Sequence, residues 1–288
     1  MEPVRKTFDS EHEFPFFLAY KDTKTPNHEL PDHLHDWYEI VYVYQGKGTF
    51  FIDQQLFQAE QGDIIIIPGN TIHRAVPAAE NLITSTAIFF SPVLLQRSVF
   101  WDWASFLRLF HEARVKKNYR YHLDERDCVQ LEDYLDQLRD EQQKEKVDQK
   151  QAIALLLQLV LVFLNRHCLN KEMTVRGSTA IGPTWINETL DYIEQRLEGE
   201  LELTELAKQA AVSTAHFSRV FKELIGMNVT EYITTKRMIR AKNLLATTQE
   251  NIALIAEKCG YNSMPHFYRT FKRMTGRTPS EYRNSSEH

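Results

Sequence analysis

The stretch AEKCGYNSMPHFYRTFKRMTGRTPSEYR, residues 256–283, decides how the C-terminal third of the chain is read. Cys259-Gly260-Tyr261 interrupts an apolar helical pattern, Ser263 can cap a second helix and Gly276 stops it. Pro265 falls in the first helical turn, where a missing N–H costs nothing. Phe267 and Phe271 recur at helical spacing as a buried stripe, while His266, Arg269 and Lys272 face the other way. The reading is helix, tight turn, helix. The same pattern stands 50 residues upstream, where HFSRVFKELIGMNVTEYI (216–233) aligns with HFYRTFKRMTGRTPSEYR (266–283). In that copy Thr204 is expected to cap the first helix, with Leu206 and Ala207 inward. Ala211-Val212 makes the turn, Ser213 caps the second helix and Gly226 ends it. Phe217, Val220 and Phe221 form the inner stripe, and Ser218, Arg219 and Lys222 face out.

A short helix held across its partner, with arginine and small polar residues on its exposed N-terminal half, suits the major groove of DNA. A helical bundle whose basic residues only solvate the surface is the rival reading. Two tandem copies of H-F-x-R-x-F-K favour the first. Charge agrees: residues 203–283 carry 13 Lys and Arg against six Glu, a balance of +7, while the rest of the chain is at −12 and the whole at −5. A basic end on an acidic body suggests that this end meets a polyanion.

The chain has 288 residues, 43% hydrophobic and 25% charged, which excludes disordered, collagen-like and disulfide-stapled classes and fits two domains. The N-terminus lacks the apolar core of a signal peptide. The longest apolar run, residues 152–164, has 13 residues against the about 20 that a membrane span needs, so a buried helix and no membrane are expected. Three scattered cysteines, Cys128, Cys168 and Cys259, fit buried thiols in a reducing cytoplasm. Residues 33–91 are rich in Val, Ile, Phe, Tyr and Thr and broken by Gly46, Gly48, Gly62, Pro68 and Gly69, the texture of strands and tight turns. From Asp124 to about Cys168 the pattern is helical, and the polar segment from Asn170 reads as a linker.

The C-terminal third resembles the AraC family of bacterial transcription regulators. The string A-x-x-x-G-Y-x-S-x-x-H-F-x-R-x-F-K-x-x-x-G-x-T-P-x-x-Y-R from Ala256 to Arg283 carries the resemblance, and residues 236–252 resemble the family's connecting helix. By that resemblance the base-facing positions are Ala215, Ser218 and Arg219 in the first unit and Pro265, His266 and Arg269 in the second. Ala215 and Pro265 cannot hydrogen-bond a base edge, so readout there is apolar or absent.

The N-terminal region carries H-x-H-x3-E-x6-G from His33 to Gly46 and G-x5-P-x4-H from Gly62 to His73, which resemble the two motifs of the cupin barrel. On one strand His33, His35 and Glu39 would share parity and point to one face. Two departures stand out: Asn27 occupies a usual glycine position, and Asn70 replaces a turn glycine whose left-handed conformation asparagine tolerates. His33, His35, Glu39 and His73 would suit a divalent Mn, Fe, Ni or Zn ion, and they could equally hydrogen-bond the hydroxyls of a sugar. Trp37, Tyr38, Tyr42 and Tyr44 offer stacking and hydroxyl surfaces, half of them facing outward.

The expectation is therefore an α+β protein. A cupin-like sensing and dimerisation domain takes 1–170, a linker 171–184, and a double helix-turn-helix domain 185–288. The resemblance, strongest to sugar-responsive members such as the L-rhamnose regulators, implies a DNA-binding regulator, an activator as most members are. It would work as a cytoplasmic homodimer with a sugar effector, no required cofactor and contact with RNA polymerase. DNA contacts are expected from Ser213, Ala215, Ser218, Arg219, Lys222, Ser263, Pro265, His266, Arg269 and Lys272, and effector contacts from His33, His35, Trp37, Glu39 and His73. The alternative is a metal-dependent cupin enzyme with an accessory DNA-binding domain.

Overall fold

The computed structural model describes residues 4–5, 14–24, 33–35, 37–78, 80–95, 103–144, 146–169 and 183–286. Chain contacts divide the protein into two compact units, one of Lys6–Ile181 and one of Gly182–His288 with Met1–Arg5. Most of the expected linker, like Asn27, lies outside the described residues.

After a two-residue strand β1 (Val4–Arg5), the first unit is built from β2 (Phe16–Lys24), β3 (His33–Leu34), β4 (Tyr38–Gln45), β5 (Lys47–Ile52), β6 (Gln55–Glu60), β7 (Asp63–Ile67), β8 (His73–Pro77), β9 (Ile83–Phe90) and β10 (Arg120–His122). One antiparallel sheet runs β10-β7-β4-β9-β2, and the other carries β3-β8-β5-β6 in that order. Ile40, Ile65, Ile88, Phe50, Ile52 and Phe57 from both sheets enter one apolar core. The strand region begins earlier than the sequence predicts. β2 escapes notice because its second half, broken by a register shift between Ala19 and Asp22, is polar.

Three helices, α1 (Arg108–Lys116), α2 (Glu125–Gln142) and α3 (Gln149–Leu169), share that core. Asp124 caps α2 by accepting from the N–H of Asp127. α3 spans 21 residues and is apolar enough to cross a membrane by length and composition, unlike the 13-residue run read from sequence. One face of it packs inside the unit, where Ile153, Leu157, Val160, Leu161 and Leu164 lie within the core, while Leu155 and Leu159 are exposed. Tyr38 packs edge-on against Phe110 of α1, and the Tyr42 hydroxyl donates to Glu132 of α2 at 2.6 Å. Tyr38, Tyr42 and Tyr44 share one parity on β4, opposite to Glu39, so all three face away from the barrel interior rather than half of them.

The second unit is all helical: α4 (Thr184–Gln195), α5 (Leu203–Gln209), α6 (Thr214–Ile225), α7 (Val229–Thr247), α8 (Ile252–Lys258), α9 (Met264–Thr275) and α10 (Pro279–Ser286). Leu206, Ala207, Phe217 and Phe221 are buried in the first helix-turn-helix, and Ile255, Ala256, Phe267 and Phe271 in the second. Glu202, not Thr204, is the N-cap of α5, and Thr204 instead donates to the Glu202 carboxylate. The connecting helix runs 229–247 rather than 236–252. Asn228 and Glu231 close a reciprocal capping box at its start, which fixes its N-terminus seven residues earlier than expected. Thr278 and Glu281 repeat that box ahead of α10, so the N/T-x-x-E of the two copies is a helix-start signal.

Candidate functional site

In each helix-turn-helix the second helix starts on a serine. The Ser213 hydroxyl accepts from the His216 N–H at 3.2 Å, and Ser263 does the same for His266 at 3.4 Å. Gly226 and Gly276 end the helices with φ of +88° and +76°, a conformation that favours glycine. Phe217 and Phe221, and Phe267 and Phe271, are fully buried. With that stripe fixed inward, the 3.6-residue period turns Ala215, Arg219 and Lys222 to solvent on α6, and Pro265, His266, Arg269 and Lys272 on α9. Ser218 is half-buried. The two capping serines accept these N–H groups at the helix starts and are exposed, which leaves each hydroxyl hydrogen available as a donor. His216, equivalent to His266 by the 50-residue offset, is exposed too, and its Nδ1 lies 3.3 Å from Arg219 Nη2. The repeat already pointed to it, and the sequence reading left it out.

The second constellation sits in the first unit. β3 and β4 belong to different sheets, so His33, His35 and Glu39 do not lie on one strand, and the shared-parity argument does not hold. Closure of the fold does the work instead. Glu39 stands opposite both Ile67 and Phe89, and His73 stands opposite both His33 and Ile52. Nε2 of His35 and Nε2 of His73 each lie 3.1 Å from Oε2 of Glu39. All three residues are buried, at 2%, 4% and 4% exposure for His35, Glu39 and His73. His35 also meets the edge of Phe89 at 5.6 Å between ring centroids. His33 contributes its backbone register opposite His73.

The supporting shell is backbone. His35 Nδ1 lies 2.8 Å from the Trp37 carbonyl oxygen and His73 Nδ1 2.9 Å from that of Thr71. A carbonyl oxygen only accepts, so both Nδ1 atoms carry hydrogen, and each Nε2 donates to the carboxylate when its ring is protonated and turns a lone pair toward it when the ring is neutral. Asn70 keeps the left-handed turn at φ +60°, and its N–H donates to the His35 carbonyl at 2.7 Å. Arg114 of α1 donates to the Gly69 carbonyl at 2.6 Å and braces the same turn. Trp37 gives the cluster its carbonyl, while its half-buried ring packs on the apolar core.

Residues 206–285 match the family described as helix-turn-helix domain, and residues 18–160 match the family described as AraC-like ligand binding domain. Together the two matches take in most of the chain. The chain belongs to the AraC family. The HTH-type transcriptional activator RhaR of Escherichia coli (strain K12) is 25% identical over 263 residues, 90% of this chain and 89% of that protein. RhaR of Mannheimia succiniciproducens is 25% identical over 256 residues, 88% of this chain and 87% of that protein. Among solved structures, an AraC-type transcriptional regulator from Chromobacterium violaceum is 30% identical, covering 35% of this chain and 91% of that one at a TM-score of 0.34.

As an AraC-family member the protein is a DNA-binding transcription regulator with a ligand-binding domain, and the enzyme reading raised by the barrel motif gives way. The histidine–glutamate cluster has definite electrostatics. Burial alone would push the Glu39 carboxyl up, but the contacts to His35 and His73 outweigh it and hold the group well below the usual carboxylate range. With both rings neutral, two imidazole lone pairs would face an ionised carboxylate, so the cluster calls for a positive charge, a proton on a ring or a metal ion among the three. The three ligating atoms lie within 4.8 Å of one another, so the residues fit a two-histidine, one-carboxylate site for a divalent transition metal. The Nδ1-to-carbonyl bonds are the usual outer support of such ligands.

Proposed function

We propose that this AraC-family regulator is an activator that senses a sugar at the inner end of the barrel, where His35, Glu39 and His73 meet. The observation that carries the reading is that buried cluster of two imidazoles and a carboxylate, on the same chain as two exposed recognition helices. The triad supplies both hydrogen-bonding partners for hydroxyls and ligands for one divalent ion of the Mn, Fe, Ni or Zn group, with His33 as a further contact. Bound metal would present open coordination positions to effector hydroxyls. The likeness to proteins named activators and to sugar-responsive members supports the sense and the ligand class.

Effector binding would act by population shift: a ligand that prefers one arrangement of the sensor changes promoter occupancy by its differential affinity. The active species is proposed to be a cytoplasmic homodimer that meets RNA polymerase at the promoter. The outer face of α3 supports the dimer, since Leu155 and Leu159 are 66% and 42% exposed one helical turn apart. The test is a melting screen of the full chain against sugars, with and without Mn, Zn, Ni and Fe(II), beside elemental analysis of protein purified without chelator or nickel resin. A sugar-induced rise in melting temperature that vanishes in His35→Ala, Glu39→Gln and His73→Ala supports the site. An unchanged sugar response in all three removes it.

A further inference from the structure

Arg237, on α7, makes contacts that belong to both helix-turn-helix units at once. Its Nε donates to the Leu197 carbonyl at 2.9 Å and its Nη2 to the Gly199 carbonyl at 2.7 Å, at the end of α4 that precedes the first unit. On its other side the guanidinium lies 5.9 Å from the ring centre of Tyr261, in the turn of the second unit. Gly260 completes the junction: a Cβ there would stand 2.5 Å from the Leu197 carbonyl oxygen and 2.7 Å from Arg237 Nη2. The second unit's turn is thus pressed against the segment behind the first unit, with one half-buried guanidinium between them.

Both ends of this junction run to a recognition helix. Tyr261 meets His266 and Phe267 of α9, each at 5.4 Å between ring centroids. The first turn of α4 carries Trp185, which stacks on Phe217 of α6 at 5.1 Å and 26°. Lys236–Glu194 at 2.8 Å and the Arg240–Glu198 pair tie the same stretch of α7 to the end of α4 and the residues after it, and Arg240 also stands near the Cys259 thiol of the second turn, but the fork that bonds both carbonyls and faces Tyr261 is that of Arg237. A fork of fixed geometry suits the middle position, since one planar group satisfies two carbonyls and stacks on a ring.

We propose that Arg237 is the positioning residue that sets the separation of α6 and α9, so that the protein reads two DNA blocks only at one spacing. This rests on each recognition helix entering its own major groove. Two linked reading heads bind as a unit only when their geometry matches the sites, and gain roughly 100-fold or more from the linkage when it does. Inserting one base pair between the blocks moves the second by about 3.4 Å and about a tenth of a turn, which a rigid junction cannot follow.

The experiment uses the full chain and a duplex selected by it from random DNA, together with versions carrying one inserted base pair or only one block. Wild type should lose about 20-fold or more in affinity on the insertion, as geometric mismatch cancels the linkage. Arg237→Met should bind the parent duplex about 10-fold more weakly, lose less than about 3-fold on insertion, and bind each single block as wild type does. Arg237→Lys, which keeps charge and stem but loses the fork, should fall between, and it serves if the methionine variant does not fold. A folded variant that keeps the full insertion penalty overturns the role of Arg237 and leaves the two-groove reading standing. A wild type indifferent to the insertion overturns both.

Discussion

Ala211 and Gly260 occupy the same left-handed position in the two helix-turn-helix units, at φ +54° and +74°. Each is followed by a residue whose N–H closes the turn, Val212 onto Ala207 at 3.1 Å and Tyr261 onto Ala256 at 3.0 Å. The first-helix offset is therefore 49 residues, and the second turn carries one extra residue, Asn262, before the serine cap. A β-carbon in this conformation costs about 1–2 kcal/mol, and glycine returns about 0.4–1 kcal/mol of that through the flexibility of the unfolded chain. Ala211→Gly should therefore stabilise the DNA-binding unit by about 0.5–1 kcal/mol. Gly260→Ala should cost more than about 2 kcal/mol, because strain is joined by collision with Leu197 and Arg237. Urea unfolding of the two variants should move in opposite directions, and a shift of the same sign in both would refute the assignment.

The repeat was legible because its information is local. A phenylalanine pair four residues apart, a serine before it and a glycine after it fix which side of α6 or α9 is buried, and hence that Arg219 and Arg269 are exposed. The sensor was legible in its residues and not in its geometry. His35, Glu39 and His73 do converge, but through the pairing of β4 with β9 and of β8 with β3 and β5, not through parity along one strand. Tyr42 and Tyr44 belong to the face under α2 and not to a ligand site, which the sequence does not reveal because a strand's two sides look alike until something covers one of them. Arg237 was not legible at all. Its partners lie 40 and 38 residues away in sequence, and no periodicity marks such a contact.

Alkaline pH should weaken the DNA-binding unit through Cys259. Burial pushes this thiol up to about 11, outweighing the nearby Arg240 and Arg237. An unfolded thiol ionises near 8.5–9, so the folded state's preference for the neutral form is fully present below that range and is lost as pH rises through 9 toward 11. About 2 kcal/mol of the stability lost between pH 8 and pH 10.5 should come from this group. Cys259→Ala costs packing equally at both pH values and should flatten that part of the profile. An identical pH dependence in variant and wild type would show that the thiol does not contribute.

The exposed leucines of α3 give the dimer a direct check. Leu155 and Leu159 sit outside the sensor core, so replacing them with glutamate should leave its melting temperature within a few degrees of wild type. Buried in an apolar subunit contact, the same charges should raise the dimer dissociation constant by at least about 100-fold. Sedimentation velocity over a concentration series reads this directly. A double variant that sediments like wild type at every concentration places the subunit contact elsewhere.

Arg219 and Arg269 provide the test of how the duplicated unit reads DNA. Both are exposed, both lie one turn beyond the start of their helices, and the 50-residue offset makes them equivalent. Successive major grooves on one face of B-DNA are about 34 Å apart, roughly 10 base pairs, so a monomer should protect two short blocks one turn apart. Each guanidinium can make a bidentate contact to guanine worth about 1–3 kcal/mol of discrimination. Arg219→Ala should relax preference in one block and Arg269→Ala in the other. Lys222→Ala, which removes a phosphate-type contact, should weaken all sequences alike and lower the salt dependence by about one charge. Selection from random DNA with wild type and each arginine variant gives the result. Loss of preference at the same base pairs in both variants, or at none in either, would mean that α6 and α9 do not read separate grooves.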